Sequence, residues 1–195
     1  MKKVFLNLVI VIISAVSVHA QSAQFGIKGG VNLATFSGKD ATGATTLVGF
    51  HGGGLVSLPI SSDFSVQPEV LYSMQGAKVP SVSGQINLGY INVPVLAKYT
   101  IFHGFSVEAG PQVGFLLSAK AEASGSSGDV KSQTQSVDFS AVGGASYLTS
   151  ANIGFDARYT LGLTTTAKDN TSKVYNNVIQ LGVYYMFGSS ESDSN

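Results

Sequence analysis

Apolar and polar residues alternate one for one through most of this chain, in segments of about ten residues. That is the period of a β-strand whose two faces meet different surroundings. The pattern is clearest at 64–75. Phe64, Val66, Pro68, Val70, Tyr72 and Met74 share one face, and Ser65, Gln67, Glu69, Ser73 and Gln75 share the other, with Leu71 alone out of pattern. Residues 105–119 repeat it: Phe105, Val107, Ala109, Val113, Phe115 and Leu117 oppose Ser106, Glu108, Gln112 and Ser118. Further on, Ile153, Phe155, Ala157, Tyr159 and Leu161 oppose Asp156, Arg158 and Thr160. The alternation predicts eight strands, at 24–36, 47–58, 64–75, 86–99, 105–119, 138–148, 152–163 and 174–187. After residue 20 no stretch keeps a 3.6-residue period, and none is apolar enough for a membrane helix. The fold class is all-β.

The links between these strands alternate in length. Short ones fall at 59–63, 100–104 and 149–151, and long polar ones at 37–46, 76–85, 120–137 and 164–173. The link at 120–137 is rich in Ser, Gly and Gln and reads as an open loop. Short turns at one end and long loops at the other predict an eight-stranded antiparallel up-and-down transmembrane β-barrel, its turns periplasmic and its loops extracellular. A soluble lipocalin-like barrel has the same strand count but an apolar cavity and a polar exterior. Composition decides between the two. Charged residues make up 11% of the chain, against roughly 25% in an ordinary soluble domain. A soluble barrel would need many charges on its polar strand faces. The few present balance: Lys28, Lys98 and Arg158 against Glu69, Glu108 and Asp156. Small barrels fill their interior with side chains, and buried charges must be paired. These six are therefore expected to form an interior charge network. Aromatics near strand ends, among them Phe25, Phe36, Phe64, Tyr72, Tyr99, Phe105, Tyr147, Tyr159, Tyr185 and Phe187, suit the two interfacial girdles of a membrane barrel. Glycines recur inside the strands, where a narrow barrel needs room for bulky inward neighbours.

The first twenty residues follow a different rule. Met1-Lys2-Lys3 is a short basic start, residues 4–16 are apolar apart from Asn7 and Ser14, and Val18-His19-Ala20 reads as a cleavage site. The expected organisation is a cleaved signal peptide at 1–20, the barrel domain at 21–187 and a polar tail at 188–195.

Several stretches resemble the porin-family outer-membrane β-barrel proteins of Gram-negative bacteria, similar in architecture to OmpX and the OmpA transmembrane domain. They are Phe25-Gly26-Ile27-Lys28-Gly29-Gly30-Val31-Asn32, Gln67-Pro68-Glu69-Val70-Leu71-Tyr72, Tyr90-Ile91-Asn92-Val93-Pro94-Val95-Leu96-Ala97-Lys98-Tyr99 and Asp156-Ala157-Arg158-Tyr159. In order, they cover nearly all of the chain after the leader. The last strand resembles the family's assembly signal: Gln180, then Gly182, then the aromatics Tyr185 and Phe187. The resemblance implies an outer-membrane location, contact with outer-membrane lipid and insertion by the barrel-assembly machinery. It does not imply a diffusion pore, because eight strands leave an interior only wide enough for side chains.

Enzyme chemistry finds little footing. The chain has no Cys. His51 lies in the second expected strand and His103 in the short link at 100–104, and nothing in the pattern brings them together, so a shared metal site is not expected. His51 with Ser57 or Glu69 could be forced into a hydrolytic triad, but no motif supports it. Gly52-Gly53-Gly54 lacks the Lys-Ser/Thr and helix of a phosphate loop. Ser127-Gly128-Asp129 and Asp169-Asn170 are loop acids of the kind that are usually solvated. Formal net charge is 0, so no nucleic-acid partner is expected. No cofactor, metal or catalytic residue is expected. The favoured function is a structural or surface-interaction barrel acting through its long loops. A narrow ion or solute channel and a secretion or envelope-biogenesis factor are the alternatives. The extracellular partner is unknown at this level.

Overall fold

A computed structural model describes residues 23–80, 84–123, 126–168 and 172–187. The expected leader at 1–20 and the tail at 188–195 lie outside the described residues. The strands are β1 (Gln24–Ser37), β2 (Thr45–Pro59), β3 (Phe64–Val79), β4 (Gly84–Phe102), β5 (Phe105–Ala123), β6 (Ser126–Asp129), β7 (Val137–Leu148), β8 (Ile153–Gly162) and β9 (Tyr175–Phe187). Eight of them make one closed antiparallel sheet, in the order β1, β2, β3, β4, β5, β7, β8, β9 and back to β1. The first and last strands close it, from Phe25 opposite Phe187 to Ser37 opposite Tyr175. Closure has a plain cause: an unpaired N–H or C=O in hydrocarbon costs several kcal/mol, so a membrane sheet cannot keep an open edge. No described helix is long and apolar enough to cross a membrane.

The barrel is built inside out relative to a soluble protein. Phe25, Ile27, Val31, Val70, Tyr99, Val107, Phe155, Leu181, Val183 and Phe187 are exposed on the outer wall, while Lys28, Asn32, Gln67, Glu69, Gln112, Arg158 and Gln180 are buried inside. Leu71 is no exception to strand parity. It points inward with Gln67, Glu69 and Ser73 and is 1% exposed. Phe36 departs from the expected girdle: it packs against an interior apolar cluster of Leu88, Tyr90, Leu116 and Ala119. The outer aromatics do gather at the turn end, where Phe102 stacks on Phe105 with ring centroids 5.0 Å apart and Tyr185 meets Phe187 edge-on at 5.3 Å.

The two ends of the barrel differ. At one end the connections are tight; His103-Gly104 joins β4 to β5 with Gly104 at φ +77°, and Asn152 takes φ 61° before β8. At the other end the sheet overshoots. β8 has 10 residues, about what a tilted transmembrane strand needs, but β4 and β5 have 19 each. This corrects the expected loops at 76–85 and 120–137. Val79 pairs with Gly84, and β6 folds back on β5 with Asp129 opposite Lys120. The overshoot was hidden in the sequence because alternation records a difference between two faces. Beyond the bilayer both faces can be polar, and main-chain pairing continues without a period.

The ladder between β2 and β3 is interrupted between Thr46 and His51. Asn32, fully buried on the inner wall, covers the break. Its Nδ2 donates to Phe50 O at 3.0 Å, Met74 O at 2.9 Å and Ser73 Oγ at 2.9 Å. Asn32→Ala would leave those carbonyls inside the wall without their donor. The expected loss is about 1–3 kcal/mol, the cost of stranding buried polar groups. It should appear in urea unfolding and as faster amide exchange confined to the β2–β3 ladder.

Candidate functional site

Five of the six expected interior charges meet in one cluster in the turn-end half of the lumen, their side chains essentially unexposed. Arg158 is its centre. Its Nη1 donates to Glu69 Oε2 and its Nη2 to Glu69 Oε1, both at 2.8 Å, a two-pronged contact that the planar guanidinium favours. Its Nε donates to Glu108 Oε1. Gln67 Nε2 adds a 2.7 Å bond to Glu69 Oε1. Lys28 Nζ lies 2.9 Å from Asp156 Oδ1 and 3.9 Å from Glu69 Oε2, and Arg158 Nε lies 3.6 Å from Asp156 Oδ1. Strands β1, β3, β5 and β8 are thus joined across the lumen.

Lys98 departs from the expected pairing. It stands opposite Glu108 in the β4–β5 ladder, yet its Nζ donates to Tyr184 Oη at 3.2 Å and lies 5.2 Å from that ring's centre. Tyr184 could have been found from parity, since it shares the inward face of β9 with Gln180 and Gly182. The ring lies against Gly154, where a Cβ would strike it.

Two further glycines make the cluster possible. Gly144 sits between Glu108 and Arg158 in the sheet, and a Cβ there would come within 2.9 Å of Arg158 Cγ. At Gly182 a Cβ would meet Asp156 Oδ2 at 2.8 Å and Lys28 Cε at 2.9 Å. Each glycine leaves room for an ion pair to cross it. The other members of the expected assembly signal divide by face. Gln180 points inward, its Nε2 donating to Asn32 Oδ1 at 3.3 Å, and Tyr185 and Phe187 stand on the outer wall.

His51, Ser57 and Glu69 do not come together as a hydrolytic triad. His51 Nδ1 is 2.8 Å from Asn32 Oδ1, both oxygens of Glu69 are engaged by Arg158, and Ser57 lines a separate small cavity with Lys98 at the turn end. Among the described residues no group of three His, Cys, Asp or Glu is placed to hold a metal. Asp129 Oδ1 accepts from the Lys131 amide at 2.8 Å, an ordinary turn contact; Asp169-Asn170 lies outside the described residues.

A closed sheet with an apolar outer wall and paired charges inside suits a bilayer. A family model described as outer membrane protein beta-barrel domain matches residues 19–168. The chain belongs to that family. This outer-membrane barrel also resembles solved structures at low sequence identity. Neisserial surface protein A (NspA) is 19% identical with a TM-score of 0.59, covering 84% of this chain and 98% of its own. Ail, the attachment invasion locus protein of Yersinia pestis, is 18% identical with a TM-score of 0.53, covering 85% and 99%. Ail has also been solved in complex with the heparin analogue sucrose octasulfate. No curated protein matches the chain. The family places the protein in the outer membrane, and the two structures share its fold.

Proposed function

We propose that this outer-membrane barrel is a non-enzymatic anchor that fixes its loop end at the cell surface for contact with an external partner. The observation that carries this reading is the state of the lumen. The charge cluster crosses it in the turn-end half, and Leu88, Tyr90, Leu116 and Ala119 fill it nearer the loop end. A structure filled this way holds a shape and offers little path for solute, which weighs against the channel reading. The loop end is also where the free charge lies. Lys39, Lys78, Lys120, Lys131, Lys168 and Lys173 are all exposed there. They outnumber Asp40, Glu122, Asp129 and, by sequence, Asp169. An acidic surface is therefore the favoured partner class, with binding that weakens as salt rises. Ail's structure with a sulfated ligand is a property of that protein, and it makes the class a reasonable first probe.

Two measurements test the reading. Cysteines introduced singly at Ser126 in β6 and at Ser150 in the β7–β8 turn should differ in intact cells. An impermeant thiol reagent is expected to label Ser126→Cys only, and the reverse would overturn the orientation. In planar bilayers the wild-type barrel is expected to give no steady conductance steps. Stable, ion-selective steps would reject the closed anchor and favour a channel.

A further inference from the structure

Among the described residues, three of the loop-end connections are bonded to one another. Thr134 bridges to Ala167. Gln135 N donates to Thr166 O at 2.8 Å, Lys168 N to Gln133 O at 3.0 Å, Thr166 N to Val174 O at 2.8 Å and Lys173 N to Asp40 Oδ2 at 2.8 Å. These bonds tie the β1–β2, β6–β7 and β8–β9 connections to one another. Beneath them is a cavity of about 370 Å³, open to the outside and walled mainly by Phe36, Val79, Ile86, Leu88, Val130 and Val174. Its floor is the apolar cluster that closes the lumen.

We infer that this cup is a binding site for a single alkyl chain of a small amphiphile. Size is the first reason: the volume falls within the range of about 300–1,000 Å³ typical of small-molecule sites. It is also more than twice the cavity of about 150 Å³ that suffices for benzene. The second reason is the chemistry of the wall. Its apolar residues, which are the majority of the lining, are aliphatic apart from Phe36. Thr42, Gln133 and Ser172 also reach it, and three further polar side chains there hold the connections: Thr134 Oγ1 donates to Val130 O at 2.9 Å, Thr166 Oγ1 donates to Val174 O at 3.2 Å, and Asp40 accepts from the Lys173 amide. A sugar or nucleotide needs convergent donors and acceptors to fix it, whereas a hydrocarbon chain needs only an apolar wall and shelter from water. The third reason is that the wall is held open. Loops free to move would collapse over half-buried Val and Ile, while these are tied by main-chain bonds around the cup. The inference is independent of the acidic-partner reading, since the lysines stand outside the cup and the aliphatic wall lies inside it.

Decanoate is a suitable probe, being soluble enough to titrate against the whole barrel in lipid nanodiscs with methyl groups observed by NMR. Saturable shifts are expected at the methyls of Val79, Ile86, Leu88 and Val130, while lipid-facing methyls such as Val183 drift linearly as decanoate enters the bilayer. Ala44 also lines the cup, and Ala44→Phe should fill part of it and weaken binding roughly tenfold. Ala121→Phe should do the same from β5. Both variants are checked for the folded band in unheated detergent gels, and the second stands in if the first fails to fold. Cross-relaxation between lipid chains and the cup methyls before any decanoate is added would support an alkyl site filled from the membrane. Cup methyls that stay still, or that drift linearly like Val183 and do so equally in both variants, would overturn the inference.

Discussion

Replacing Arg158 by alanine is expected to cost about 3–5 kcal/mol of barrel stability, the typical loss when one member of a buried ion pair is removed. The size follows from what remains. Glu69 would keep only Gln67 and a Lys28 ammonium 3.9 Å away, and Glu108 would lose the Arg158 Nε that it accepts from. Neither carboxylate has water to turn to, since both side chains are wholly buried. Urea unfolding in micelles reads the loss directly. A change of only about 0–1 kcal/mol, the range of exposed pairs, would place Arg158 outside a closed network. The double variant Arg158→Met with Glu69→Gln should lose less than the sum of the two single changes, because each removes the partner that the other strands. Lys98→Met should be milder than Arg158→Ala, since the lysine's contact is with the neutral hydroxyl of Tyr184.

The second large effect belongs to the outer wall. Val183 is exposed between Gly29 of β1 and Phe155 of β8, about midway from the aromatic end of β9 at Phe187 to its polar start at Asn176. Val183→Arg is expected to destabilise the barrel in a bilayer by about 2–4 kcal/mol, the cost of a lipid-facing cation near the midplane. Phe187→Arg, on the same face at the turn end, should cost about 0–1 kcal/mol because its cation can reach the headgroups. Folding titrations in lipid vesicles would compare them. Equal costs at the two positions would mean that the wall does not sample the depth of a membrane. A loss at Val183 that disappears outside the bilayer would tie the effect to lipid.

Much of the architecture was legible because alternation is a local signal. Glu69, Glu108, Asp156 and Arg158 each sit at polar positions in an otherwise apolar alternation, and that parity put them on the inner wall before any contact was known. The scarcity of charge over the whole chain then named the solvent as lipid. The short links expected at 100–104 and 149–151 fall where the chain turns, and the structure puts the left-handed backbone at Gly104 and at Asn152, a residue the alternation had placed in the following strand. What a local signal could not give was partnership. Lys98 has the parity of a paired cation, but whether its ammonium reaches Glu108 or Tyr184 depends on where Gly154 lets the Tyr184 ring lie.

The sequence by itself determined an all-β chain, an inside and an outside for each strand, and which charges had to be neutralised within. Alternation and composition suffice for these because burial in lipid acts on each residue separately. Only the tertiary structure decided that Arg158 would serve two strands at once, that Gly144 and Gly182 would be the gaps its network crosses, and that β4 and β5 would run on past the bilayer to help wall an apolar cup. Those outcomes depend on the register between strands far apart in the chain. Register is set by closing the whole sheet, and no single segment carries it.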